Sequence, residues 1–152
     1  MRILLVVDLQ QEFVSGLEGK RRYQDALKYI HANQNNYGYI LASCYINKDN
    51  VNMQRLVRWD ECKNIAPLDF IPDRVYMHSG YAPLDFPKFE LTDQIDVIGF
   101  DTDACVLAHC FRLFDMQVNF TVLSKYCWSS GGKSMHEAGL SVMKRQFRGA
   151  IK

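Results

Sequence analysis

Apolar residues along this chain fall into short continuous runs separated by stretches of helical spacing. Ile3 to Val7 is an unbroken aliphatic run, the pattern of a central parallel strand covered on both faces. Gly16 and Gly19 loosen the loop that follows, and about Arg21 to Asn33 carries Tyr23, Leu27 and Ile30 at helical intervals. Tyr37 to Cys44 reads as a second strand. Val51 to Cys62 reads as an amphipathic helix through Met53, Leu56, Val57 and Trp59, and Arg74 to Met77 as a short third strand. Ile95 to Ile98, set between Asp93 and Gly99, is a fourth. After Gly99 the period changes, and Val106, Cys110, Leu113 and Phe114 share a helical face. Gln117 to Leu123 alternates as a further strand, and Lys133 to Phe147 reads as a helix with an apolar stripe of Met135, Ala138, Val142 and Phe147. Gly149 to Lys152 has the character of a strand beginning.

Strands alternating with helices predict a three-layer α/β/α fold, with a mostly parallel, doubly wound sheet of five or six strands. No linker, repeat or low-complexity tract divides the sequence, so residues 1–152 are read as one domain. A net charge of +1 gives no reason to expect nucleic acid or an anionic membrane as partner. No apolar run approaches the roughly 20 residues of a membrane span, and the opening Met1–Val7 run, ended by Asp8, is too short for a signal peptide. Five cysteines without a Cys-x-x-Cys pair suggest neither a disulfide framework nor zinc, and a cytoplasmic protein is expected.

The chemistry concentrates at strand ends. In such sheets ligands bind outside the carboxyl ends of the strands, and Asp8, His78 and Cys105 each follow a different strand. Cys105 falls in the first turn of its helix, after Asp101, Thr102 and Asp103. Free N–H groups there favour a thiolate and can hold an oxyanion beside the sulfur. Singly, each residue has an ordinary explanation: Asp8 as a cap, His78 as a loop residue, Cys105 as core. Together an acid, an imidazole and a helix-capped thiol form a nucleophilic constellation. Cys105 and Cys110, five positions apart on a helix, face different directions, which argues against a redox pair.

Leu5-Val-Val-Asp8-Leu-Gln10-Gln-Glu-Phe13 resembles the opening motif of the isochorismatase-like cysteine hydrolases, the group that includes nicotinamidases and N-carbamoylsarcosine amidase. Gly99-Phe-Asp-Thr102-Asp103-Ala-Cys105-Val106 resembles their nucleophile motif, and Cys127-Trp-Ser-Ser-Gly-Gly132 through His136 their late signature. The resemblance implies an Asp–Lys–Cys triad, an oxyanion hole built from the backbone of Asp101 and Cys105, a cis Phe100–Asp101 peptide, and a homodimer or higher homo-oligomer. Asp8 and Cys105 match two triad members. The stretch matching the lysine is His78-Ser-Gly-Tyr81, with the nearest lysine, Lys88, ten positions on. Asp101 is a second departure, an acid where relatives often have a small or apolar residue. Nicotinamidases carry an Asp-x-His metal motif after the second strand, whereas this chain has Cys44-Tyr-Ile-Asn47. No metal or other cofactor is therefore expected, and the substrate is expected to be a small molecule other than nicotinamide.

The resulting reading is a cysteine hydrolase of an amide or related C–N bond, acting through a Cys105 thioester. Asp8 serves as the general base and a protonated His78 replaces the electrostatic work of the lysine. Phe13, Tyr81 and Trp59 are expected as pocket walls, with Trp128 as a further candidate. A retained thiol favours acyl chemistry over isochorismate cleavage. The competing reading is a catalytically impaired relative that binds a small molecule or a protein.

Overall fold

A computed structural model describes all of residues 1–152. Its strands are β1 (Arg2–Val7), β2 (Tyr39–Tyr45), β3 (Arg74–His78), β4 (Gln94–Phe100) and β5 (Asn119–Trp128), and its helices are α1 (Gly16–Asn33), α2 (Cys105–Asp115) and α3 (Lys133–Phe147). All four strand pairings are parallel, in the order β3-β2-β1-β4-β5. The aliphatic run of β1 is central because both of its faces are covered. Leu4 and Val6 pack with Tyr23, Leu27 and Ile30 of α1 on one side, and Leu5 and Val7 with Val106, Leu113 and Met143 of α2 and α3 on the other. The three-layer fold is thus present with five strands. Gly149–Lys152 adds only one isolated bridge, Val122 to Ile151.

Strand order reverses between β1 and β4. Such a reversal opens a crevice at the carboxyl edge of an open α/β sheet, here between the ends that carry Asp8 and Phe100. Gly99 lets the two strands close up at that point. It pairs with Val7 at φ +128°, and a Cβ on it would lie 1.9 Å from the Val7 carbonyl oxygen.

Local readings fail where tertiary contacts decide. The amphipathic helix expected over Val51–Cys62 shrinks to one π-turn, Met53–Val57, ended by Arg58 at φ +58°. Leu56 and Val57 are exposed there, so apolar spacing had no matching face to bury. α1 starts at Gly16 rather than near Arg21, since Gly19 packs against Trp128 within the helix. The buried positions of α3 are His136, Gly139, Met143 and Phe147, whereas Met135 and Val142 are exposed. Gly139 sets that face: its Cα approaches the Asp103 backbone so closely that a Cβ would lie 2.8 Å away. Phe114 of α2 is likewise exposed.

Candidate active site

Three strand ends deliver the site. Asp8 follows β1 in the left-handed region (φ +46°), its N–H donating to Ser43 O at 2.8 Å and its carboxylate fully buried. That backbone turn stops β1 and aims the side chain across the sheet edge rather than into a core layer. His78 is the last residue of β3 and is also buried. The Phe100–Asp101 peptide is cis, and Cys105 opens α2 immediately beyond.

The sequence-derived triad comes together. Asp8 Oδ1 lies 2.7 Å from His78 Nε2, and His78 Nδ1 donates to the Gly80 carbonyl at 2.7 Å. A carbonyl can only accept, so Nδ1 carries a proton. Nε2 then meets the carboxylate, an arrangement suited to an imidazolium. Burial alone lowers the His78 pKa, but the Asp8 hydrogen bond and charge, with the Gly80 carbonyl, outweigh it and leave the group above its ordinary value. Lys88 lies exposed, and the ion-pair partner of Asp8 is His78.

Asp8 Oδ2 is buried and accepts no hydrogen bond. The Asp8 carboxylate also acts on the Cys105 thiol, which burial first and the Asp8 charge second push well above the ordinary thiol range, against the opposing pull of the Asp101 N–H. The helix start therefore does not produce a standing thiolate, as the sequence had suggested. Desolvation and an adjacent carboxylate outweigh the N–H groups. At rest a protonated Cys105 thiol stands near the Asp8 carboxylate.

A cavity of about 190 Å³ opens over Cys105. Phe13, Trp59 and Tyr81 line it, together with Tyr45, Ala104, Asp101 and Ser130. Phe13 and Trp59 stack with ring centroids 5.5 Å apart. Trp128 does not reach this space. It sits against Arg22 and His136 in a separate groove between α1 and α3.

Two supporting residues escaped the sequence reading. Gln10 clamps Tyr45 through both of its amide atoms, Oε1 to the N–H at 2.8 Å and Nε2 to the carbonyl at 3.1 Å, so the β1 loop fixes the end of β2. His109 donates from Nδ1 to the Cys105 carbonyl at 2.6 Å and accepts at Nε2 from the Ser43 hydroxyl at 2.8 Å. Burial pushes it down to about 4, so it is a neutral strut. Its spacing of four from Cys105 was the available signal. No three His, Cys, Asp or Glu side chains converge to hold a metal. Where an Asp-x-His motif would stand, Asn47 donates its Nδ2 to the Trp59 carbonyl at 2.8 Å.

No family profile and no curated protein sequence matches the chain. Solved structures do. The N-carbamoylsarcosine amidase of Thermoplasma acidophilum superposes with a TM-score of 0.77 at 15% identity, over 99% of this chain and 95% of that one. An isochorismatase-like hydrolase from Alkaliphilus metalliredigens gives 0.76 at 17%, over 95% and 91%. The nicotinamidase of Bacillus subtilis gives 0.74 at 13%, over 99% and 98%. At these identities the likeness is one of architecture, and from its first strand to its last helix this chain has the fold shared by isochorismatase-like hydrolases, nicotinamidases and N-carbamoylsarcosine amidase.

Proposed function

We propose that the protein is a cysteine hydrolase of an amide or related C–N bond in a small molecule. The observation that carries this reading is the Asp8 carboxylate, which His78 holds through Oδ1 while the same group acts on the buried Cys105 thiol. Asp8 takes the thiol proton as the sulfur attacks the carbonyl carbon, and the carbonyl electron pair moves onto oxygen. The N–H groups of Asp101 and Cys105 receive that oxyanion. Collapse breaks the C–N bond, and the leaving nitrogen takes its proton from Asp8. Water, deprotonated by Asp8, then attacks the thioester. Cys105 departs and regains the proton, and a carboxylic or carbamic acid is released. His78, held as the imidazolium, lowers the energy of the carboxylate form of Asp8 and supplies the positive charge of the missing lysine.

The amide-hydrolase names of the structural neighbours support the bond type. Five free cysteines, all buried, support a reducing cytoplasmic setting, and no helix is long and apolar enough to cross a membrane. The test is a screen of small amides and carbamoyl compounds, with acid quench and mass spectrometry of the intact protein. An acyl adduct on Cys105, absent from Cys105→Ser, is expected. Ligands that bind without an adduct and without amine release would favour the binding-module reading.

A further inference from the structure

Asp101 is the feature that the reaction leaves unused. Its backbone N–H acts on the sulfur and is the proposed oxyanion donor, and Asp101 lines the same cavity as Cys105. Both carboxylate oxygens are tied to a single residue. Oδ1 accepts the Ser130 N–H at 2.7 Å and Oδ2 the Ser130 hydroxyl at 2.5 Å. These bonds fix the carboxylate in place without neutralising it. The three buried acids each have a cation, His78 for Asp8, the N-terminal ammonium for Asp93 and Arg2 for Asp96, whereas the half-buried Asp101 has none. Asp101 forms no ion pair, and its charged neighbours Asp103 and Asp8 are of the same sign. Burial, with those two acids, pushes it up to about 6, against the Ser130 bonds, so it is still predominantly ionised at neutral pH. A carboxylate without a cation beside a largely apolar cavity is costly unless something brings a counter-charge.

The rest of the cavity suits such a visitor. Phe13, Tyr45, Trp59 and Tyr81 supply aromatic surface, which attracts cations through ring faces as well as packing apolar bodies. Its volume of about 190 Å³ lies below the roughly 300–1,000 Å³ of drug-sized sites, so the occupant is small. Because the Asp101 N–H and carboxylate belong to one residue, a cation on the carboxylate lies within a few bonds of a carbonyl whose oxygen reaches that N–H.

Building on the proposed hydrolase, we infer that Asp101 is a specificity-determining residue and that the substrate is a small amide carrying an ammonium or amidinium group close to the scissile carbonyl. A neutral amide such as nicotinamide leaves the carboxylate unpaired, and an anionic one is repelled.

The experiment measures binding of three one-ring probes, benzylammonium, benzyl alcohol and phenylacetate, by calorimetry at pH 7.5. Acyl-adduct formation on Cys105 and amine release from small amides, cationic and neutral, are followed on the same protein. Benzylammonium is expected to bind about tenfold or more tighter than benzyl alcohol, with phenylacetate weakest. In Asp101→Asn the cation and the alcohol should bind alike. Asp101→Ser serves as the second variant should the amide disturb the Ser130 contacts. Equal affinities in the wild-type protein, no binding by any probe, or a preference that survives loss of the carboxylate would each overturn the inference. A cation preference in a protein that forms no Cys105 acyl adduct and releases no amine with any cationic or neutral amide supports Asp101 as the charge selector and sinks the hydrolase reading. A Cys105 acyl adduct with amine release but without the preference does the reverse.

Discussion

His78 Nε2 lies 2.7 Å from Asp8 Oδ1, with both side chains fully buried. The pair joins the end of an edge strand to the end of the central strand, and β2 lies between them. Because Nδ1 is committed to the Gly80 carbonyl, the proton on Nε2 is held by the carboxylate. This replaces the long, flexible ammonium of a lysine by a short rigid ring whose charge depends on pH.

That dependence gives the first prediction. The folded protein holds the His78 proton more tightly than the unfolded chain, since its pKa is raised. The pair's stabilisation is therefore complete below the unfolded value of about 6.5 and is lost as pH rises through the raised folded value. Melting temperatures of the wild-type protein and His78→Gln, taken from about pH 6 to pH 9, should differ most at the acid end and converge toward the alkaline end. A gap that widens with pH would mean that His78 is neutral in the fold.

Asp8 should separate thiol ionisation from turnover. Its charge is one reason the Cys105 thiol is pushed up, so Asp8→Asn removes a cause of that shift. Iodoacetamide should label Cys105 faster in this variant at pH 8, while acyl transfer falls by roughly 10²–10⁴-fold for want of the general base. Peptide-resolved alkylation against pH, set beside amine release, reads both. Should the two rates fall together, Asp8 acts on the sulfur by holding its place and not by taking its proton.

The sheet edge was legible in the sequence because strands with both faces covered show as uninterrupted aliphatic runs, and because glycine and acid mark where they stop. Asp8, His78 and Cys105 were found on that logic. The pocket-lining π-turn was not, since the same apolar spacing that predicts a helix over Val51–Cys62 also serves a chain that drops Met53 into the core and leaves Leu56 in solvent. The stripe of α3 was misplaced by about one position because its defining contact is a glycine, Gly139, which no hydrophobic pattern registers. His109 hid for a related reason. A neutral histidine satisfied by a carbonyl and a hydroxyl has no charge partner, and its sequence neighbours do not reveal Ser43.

Gly99 offers a test of the crevice itself. A methyl group there meets the Val7 carbonyl oxygen at 1.9 Å, and the residue also sits at φ +128°. Backbone cannot step aside in the middle of a parallel pair as a flexible side chain would. Gly99→Ala should cost more than about 3 kcal/mol, read as a fall in the urea midpoint without change in slope. A loss under about 1 kcal/mol would mean that β1 and β4 separate readily at the site.

Trp59 tests whether the aromatic wall binds substrate or only completes the core. It stacks on Phe13 at 5.5 Å, and its backbone is anchored by Asn47 at the carbonyl and by the Met53 carbonyl at the N–H. The indole can therefore be removed while the loop that carries it keeps those anchors. If the ring faces the substrate, Trp59→Ala should raise KM for a one-ring amide about tenfold, in line with the loss of one aromatic contact and its buried area. The rate of Cys105 labelling by iodoacetamide, too small to need the wall, should stay within about twofold. A fall in kcat with KM unchanged would place the indole in support of the Cys105 loop, and parallel denaturation of the variant distinguishes that outcome from plain loss of packing.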